Sequence, residues 1–265
     1  MTAQAFTRAV SPLLASCETT QAFDEAIDVE RAVRQHAAYE AALAEAGLDI
    51  VRLAELAGFP DAVFVEDTAL LLGEHAILTR PGAGSRAGET ASTAERLAAD
   101  FTLHRLGAGR LDGGDVLRIG RTLYVGRSGR TDDAGIETLA DVAGRIGYAV
   151  VPVPVSGCLH LKSAVTLAGP DAAGTPVLVH NPDWVSAADF AGVEPVAVAP
   201  GEAYGANVVR AGAALLAAAD SPRTAERLSG RGFAVALLDI SEMRKADAAL
   251  TCMSLIADDP GHRRL

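Results

Sequence analysis

The stretch Leu111-Asp112-Gly113-Gly114-Asp115-Val116-Leu117-Arg118-Ile119-Gly120-Arg121-Thr122-Leu123-Tyr124-Val125 decides the fold. An acid and an Asp-Gly-Gly turn lead into a short apolar run at 116–119. Gly120-Arg121 then reverses the chain into a second run at 122–125, a hairpin signature. A helical pattern at 134–146 and a third apolar run at 149–155 follow. The same order recurs outward from this unit. Upstream, runs at 62–65 and 68–72 turn at Gly73-Glu74 into 76–79, and a helical pattern spans 90–101. Downstream, runs at 163–168 and 176–180 precede a helical pattern at 184–190 and a run at 195–198. Runs at 207–210 and 213–217 precede a helix at 222–228 and a strand at 233–240. A fifth helix, residues 27–47, carries Val29, Val33, Tyr39 and Leu43 at helical spacing, ends at Gly47 and leads into a run at 50–53.

The repeating unit therefore reads strand, strand, helix, strand. One polar or reactive residue marks the start of each unit: Glu66, Asp112, His160, Asn207 and Cys252. Their separations are 46, 48, 47 and 45 residues. A period near 46 residues fits a solenoid or a closed propeller. No capping repeat is evident, which favours closure around an axis, with the five markers gathered at one end. No low-complexity linker interrupts the series, so the expectation is one domain over residues 1–265.

Composition removes several alternatives. The chain has 265 residues, 49% of them hydrophobic and 22% charged, which excludes wholesale disorder. The net charge of −11 and the lack of a basic run argue against nucleic-acid partners. No apolar window reaches membrane-spanning length, and the first twenty residues lack a secretory pattern, so neither a membrane nor export is expected. The three cysteines, Cys17, Cys158 and Cys252, have no CxxC spacing, which points to a reduced, cytoplasmic compartment.

Three clusters carry chemistry. Cys252, read alone, is either a small buried core residue or a nucleophile. His160 is either a packed strand histidine or a proton carrier, and Asp112 either caps a turn or orients an imidazole. Together they form a Cys/His/carboxylate set: a thiolate attacks, an imidazole moves protons, and an acid fixes the ring. Asp61, Glu66 and Asp67 form an acidic cluster suited to a cation with several N–H donors, such as a guanidinium. Two glycine-rich loops, 80–86 and 126–131, bring Arg86 and Arg130. They suggest an anion, either phosphate or a carboxylate held bidentately, and neither has the Walker pattern. Acids at one end and arginines at the other fit a zwitterion with a cationic tail.

The motifs Phe64-Val65-Glu66-Asp67, Thr79-Arg80-Pro81-Gly82-Ala83 with Ser85-Arg86, Leu111-Asp112-Gly113-Gly114-Asp115-Val116-Leu117, Ser128-Gly129-Arg130-Thr131, Leu159-His160-Leu161-Lys162-Ser163 and Thr251-Cys252-Met253-Ser254 together resemble the dimethylarginine dimethylaminohydrolase family. The resemblance runs in one order from about residue 28 to 257. It implies an α/β fold, a five-bladed α/β propeller of ββαβ units with pseudo-five-fold symmetry, which agrees with the period. It implies Cys252 as nucleophile, His160 as general acid/base, and Asp112 as its orienting partner and, with Asp67, a guanidinium contact. Asp61 and Glu66 would line the site, Asp61 towards the substrate's amino end. Arg86 and Arg130 would grip the α-carboxylate, and the Ala246 carbonyl would be a backbone acceptor. Residues 1–23 would form a lid around Cys17-Glu18.

The expected reaction is hydrolysis of N-methylated arginine to citrulline and dimethylamine through a covalent thiouronium on Cys252. No organic cofactor and no metal are expected, the partner is a small guanidino amino acid, and a homodimer is allowed. Rival readings keep the class but change the substrate to arginine or agmatine, transfer the amidino group to an amine, or make the chain a silent binder of arginine-like ligands. A structural scaffold is the remaining alternative.

Overall fold

The computed structural model describes residues 3–20 and 25–257. The chain begins with β1 (Gln4–Arg8), α1 (Val29–Glu45) and β2 (Asp49–Leu53). Asp28 caps α1 by accepting the Arg31 N–H, and Gly47, at φ +93°, takes the left-handed conformation that ends it. Then come β3 (Ala69–Leu72), β4 (His75–Leu78), α2 (Glu89–Leu97) and β5 (Thr102–Arg105). The next unit is β6 (Val116–Ile119), β7 (Thr122–Arg127), α3 (Asp133–Arg145) and β8 (Ala149–Pro154). A one-turn helix, α4 (Leu161–Ala164), introduces β9 (Val165–Pro170), β10 (Pro176–His180) and β11 (Glu194–Ala197). The last full unit is β12 (Val209–Ala211), β13 (Ala214–Ala218), α5 (Pro222–Ser229) and β14 (Ala234–Leu238). After it come α6 (Ser241–Lys245) and β15 (Leu255–Ala257).

Five separate three-stranded sheets result among the described residues. In four of them an antiparallel hairpin is followed by a crossover and a third strand parallel to the second: β3–β4–β5, β6–β7–β8, β9–β10–β11 and β12–β13–β14. The fifth has the same pattern with its hairpin cut open. β15 pairs antiparallel with β1, and β1 pairs parallel with β2 across α1. The unit that starts at Cys252 thus finishes at Leu53, and the series closes on itself as a five-bladed α/β propeller of ββαβ units. Apolar clusters fill the spaces between adjacent sheets. One joins Leu70 and Ile77 to Leu123, Ile136 and Leu139, and another joins Leu117 and Tyr124 to Val165 and Leu178. None of the described helices is long and apolar enough to cross a membrane.

Several expectations shift. The helix expected at 184–190 is only a 3-10 turn, Ala187–Asp189. The Asn181 carbonyl accepts the Trp184 and Val185 N–H groups, and Val185 and Phe190 fill the core that a longer helix would have covered. The run 62–65 is a turn leading into a 3-10 helix, Val65–Thr68. The strand expected from Ser163 starts at Val165, because the His160 carbonyl accepts the Ser163 N–H and keeps 161–164 helical. The largest correction concerns residues 1–23, of which Met1, Thr2 and 21–23 lie outside the described residues. Residues 4–8 are the middle strand of a sheet rather than part of a lid, because Ala5, Phe6, Thr7 and Arg8 are buried on both faces.

Phe6 packs against Leu53, Val65, Leu78, Leu97 and Leu255, with the Phe101 ring edge-on at 6.0 Å. Phe6→Ala is therefore expected to cost about 3–5 kcal/mol in urea unfolding. A variant of wild-type stability that only binds substrate less well would return residues 4–8 to a lid.

Candidate active site

The five markers meet at one end of the ring. Glu66 and Asp67 lie in the Val65–Thr68 turn, Asp112 precedes the 3-10 turn Gly113–Asp115, and His160 caps α4. Asn207 precedes β12, and Cys252 is the middle residue of the 3-10 turn Thr251–Met253. Each marker stands just before the first strand of its sheet unit.

His160 is buried among carboxylates. Its Nε2 lies 3.0 Å from Asp112 Oδ2, and its Nδ1 lies 4.0 Å from Asp67 Oδ1. The ring rests on Gly114, where an added Cβ would fall 2.7 Å from Nδ1 and 2.9 Å from Asp67 Oδ1, so only glycine fits. Backbone amides hold the acids: Gly82 N–H donates to Asp112 Oδ1 at 2.6 Å, and Gly114 N–H to Asp67 Oδ1 at 3.0 Å. Asp115 accepts from the Ser128 and Thr131 hydroxyls and from the Leu161 N–H, tying the Arg130 loop to the His160 turn. Burial alone would strip the proton from His160. The charge of Asp67, the Asp112 hydrogen bond and Asp115 outweigh it and push the imidazole up to about 9.

Cys252 is buried and carries the opposite bias. Desolvation first, then Glu66 and Asp67, push its thiol up to about 12, with Lys162 acting in the other direction. Imidazole and thiol are therefore both biased towards their protonated forms at neutral pH.

The acids do not all face a common cavity. Glu66 and Asp67 diverge from a 3-10 turn. Glu66 lies on the axis, where it accepts the Thr251 hydroxyl at 2.8 Å and pairs with Lys162 Nζ at 2.5 Å. Asp67 pairs with Arg86 Nη1 at 2.5 Å. Burial disfavours its charge, but His160 and Arg86 bring the carboxyl down to about 2. Asp61 accepts the Glu18 N–H on both oxygens, at 3.2 and 3.3 Å. Glu18 also accepts the Ser85 hydroxyl at 2.6 Å, and Thr20 donates its N–H and hydroxyl to Asp247. Residues 18–20 thus tie Asp61, Ser85 and Asp247 together. Ala246 is buried at the end of α6, and Asp247 after it is the one non-glycine residue at positive φ among the described residues.

The two arginines differ. Arg86 is buried and donates to Asp67, to both oxygens of Glu89, to the Phe64 carbonyl at 2.9 Å and weakly to the Asp61 carbonyl. One Nη1 proton at most is left of its five donors, so the expected open grip on a carboxylate is not what the geometry gives. Arg86 instead anchors Asp67, the role a buried cation between two buried acids performs. Arg130 is half-buried, and its guanidinium makes no hydrogen bond or ion pair among the described residues. Its backbone packs on Gly82, where a Cβ would come 2.3 Å from the Arg130 carbonyl oxygen, and its charge reaches Asp61. The sequence reading missed Glu89, Asp115 and Lys162. Glu89 had a signal, since it stands three residues after Arg86 at the start of a helix.

Asp67, Asp112 and His160 are the only group of potential metal-ligating atoms within 4.8 Å of one another among the described residues. Each of the four carboxylate oxygens already accepts one hydrogen bond, from Arg86, Gly82, Gly114 or His160.

The raised His160 has a consequence for stability. Its ordinary value is 6.5, so the imidazolium contributes stability that is complete below pH 6.5 and is lost as pH rises through about 9. Between these limits wild-type stability is expected to fall relative to His160→Gln by an amount on the order of 3 kcal/mol. Parallel pH dependence of urea unfolding in both proteins would show a neutral His160 in the fold.

Comparison with known proteins agrees with this architecture, although no family model matches the chain. The dimethylarginine dimethylaminohydrolase of Streptomyces coelicolor is 42% identical over 261 residues, covering 95% of this chain and 96% of that protein. A cysteine-to-serine variant of the Pseudomonas aeruginosa enzyme, solved with citrulline, superposes with a TM-score of 0.89 at 30% identity, covering 97% and 99% of the two chains. A dimethylarginine dimethylaminohydrolase adduct with S-methyl-L-thiocitrulline, from a histidine-to-glycine variant, gives 0.89 at 31% identity, covering 97% of this chain and all of that one. With its closed ring of ββαβ units and its axial Cys252, His160 and Asp112, the chain belongs to the dimethylarginine dimethylaminohydrolase family.

Proposed function

We propose that the protein hydrolyses N-methylated arginine to citrulline and methylated amine, with Cys252 as nucleophile and His160 as proton carrier. The observation that carries the reading is the imidazolium held among Asp67, Asp112 and Asp115 at the end of the ring where Cys252 also stands. The citrulline and thiocitrulline complexes of relatives support it.

Because burial and two acids keep Cys252 protonated, a substrate cation is the natural trigger. A guanidinium beside the thiol offsets the acids and favours the thiolate, and the thiol proton leaves to solvent because His160 already carries one. Sulfur attacks the guanidinium carbon. The C–N bond to dimethylamine breaks as the amine takes the His160 proton, leaving a thiouronium on Cys252. The imidazole is now neutral and takes a proton from water. The resulting hydroxide adds to the same carbon, the C–S bond breaks, citrulline departs and sulfur regains a proton. Asp112 holds the ring throughout, and Arg86 keeps Asp67 ionised opposite it. Arg130, whose guanidinium makes no hydrogen bond or ion pair among the described residues, is the cation for the α-carboxylate.

The deciding experiment is product analysis with dimethylarginine, monomethylarginine, arginine and agmatine, alone and in competition. Dimethylamine and citrulline are expected to dominate, and Cys252→Ser is expected to abolish them while substrate still binds. Predominant ammonia would replace the methylated substrate with arginine. Near-wild-type turnover by the serine variant would remove Cys252 from the mechanism.

Arg130→Ala is expected to raise KM for dimethylarginine about tenfold or more while hardly affecting a decarboxylated analogue. Equal losses for both ligands would show that Arg130 reads no carboxylate.

A further inference from the structure

Asn207 marks the fourth unit, yet the reaction assigns it no task. It is buried, and its carboxamide is used on both sides. Its Oδ1 accepts the Thr251 N–H at 3.1 Å. Its Nδ2 donates to the Thr251 hydroxyl oxygen at 3.0 Å and to the Lys162 carbonyl at 2.8 Å. Thr251 is the residue before Cys252, and Lys162 stands two residues after His160. One side chain therefore joins the turn that carries the nucleophile to the turn that carries the proton carrier.

The connection is part of a closed circuit around the axis. The Thr251 hydroxyl, receiving from Asn207, donates to Glu66 at 2.8 Å. Glu66 pairs with Lys162 Nζ at 2.5 Å, and the Lys162 carbonyl returns to Asn207. Units one, three, four and five of the ring are linked through these four residues. The polarity is fixed by chemistry. A threonine hydroxyl has one proton, which goes to the carboxylate, so it must take its other bond from a donor. The same side chain must also accept the Thr251 N–H, and a carboxamide supplies both. Neither an acid nor a lysine does so.

We propose that Asn207 is a positioning residue for the reaction: by bridging Thr251 and Lys162 it sets the separation between Cys252 and His160. Nothing in the geometry brings Asn207 into the proton transfers, so it acts through the two turns. This assignment rests on Cys252 being the nucleophile.

The test uses the full chain with Asn207→Ala, Asn207→Asp and Thr251→Val. A displacement of about 1 Å in a reacting group can cost on the order of 10²-fold in rate. Asn207→Ala is expected to lower kcat about 10–100-fold with KM within about threefold, and to slow alkylation of Cys252 by iodoacetamide or change its pH midpoint. Asn207→Asp keeps the acceptor for the Thr251 N–H but loses both donated bonds, and should fall in the same range while remaining folded. Thr251→Val removes the shared hydroxyl, so adding Asn207→Ala to it should cost less than it does in the wild type. Wild-type kcat in folded Asn207→Ala or Asn207→Asp overturns the proposal, as does a loss carried only by KM. If Asn207→Ala does not fold, the Asn207→Asp and Thr251→Val pair decides by the same criteria. Should Cys252→Ser remain active, the nucleophile assignment has failed. An inactive Cys252→Ser beside a fully active folded Asn207→Asp would sink the positioning role alone.

Discussion

The ring depends on the pairing of β1 with β15. Four units build their own hairpins from neighbouring sequence, with turns as short as Gly73-Glu74 and Gly120-Arg121. The fifth must bring Gln4, Ala5 and Phe6 against Ala257, Ile256 and Leu255. Without that ladder the first and fourth units would each expose an apolar flank. The clusters that include Phe6 with Leu255 and Ala5 with Leu250 would then lie open to water. Closure also fixes the site, because Cys252 stands three residues before β15 and moves with it.

Charge inside the ring is managed by pairing more than by solvent. Glu66, Asp67, Glu89, Asp112 and Asp115 are all buried, and each meets a cation, a hydroxyl or backbone N–H groups. Buried carboxylates arranged in this way contribute little net stability, since desolvation offsets much of the attraction, but removing one partner is costly. Their value is positional and electrostatic. Asp67, Asp112 and Asp115 favour a charged His160, and Glu66 and Asp67 favour a neutral Cys252.

The period of 45–48 residues was legible because each unit begins with a polar residue, a turn and two short β-branched runs. The marker positions of Cys252, His160 and Asp112 were legible for the same reason. The fifth blade was harder to read, since half its hairpin lies at the far end of the chain and no local pattern links Phe6 to Leu255. Arg86 misled for a related reason. Its glycine-rich loop suits an anion, but which buried acid an arginine meets depends on the packing of distant turns. The adjacency of Glu66 and Asp67 hid their separate destinations, because a strand and a 3-10 turn distribute neighbours differently.

The split blade also orders events during synthesis. Four units carry their hairpins locally and can collapse soon after they leave the ribosome, as domains made vectorially do. The strand that receives β15 is made some 250 residues before its partner, and until then it waits with an open edge. Contacts of such sequence separation form slowly. The thiol arrives with the closing strand, so a nascent chain can assemble Asp67, Arg86, Asp112 and His160 before Cys252 is made. Joining Cys252 to that cluster and closing the ring are then one event.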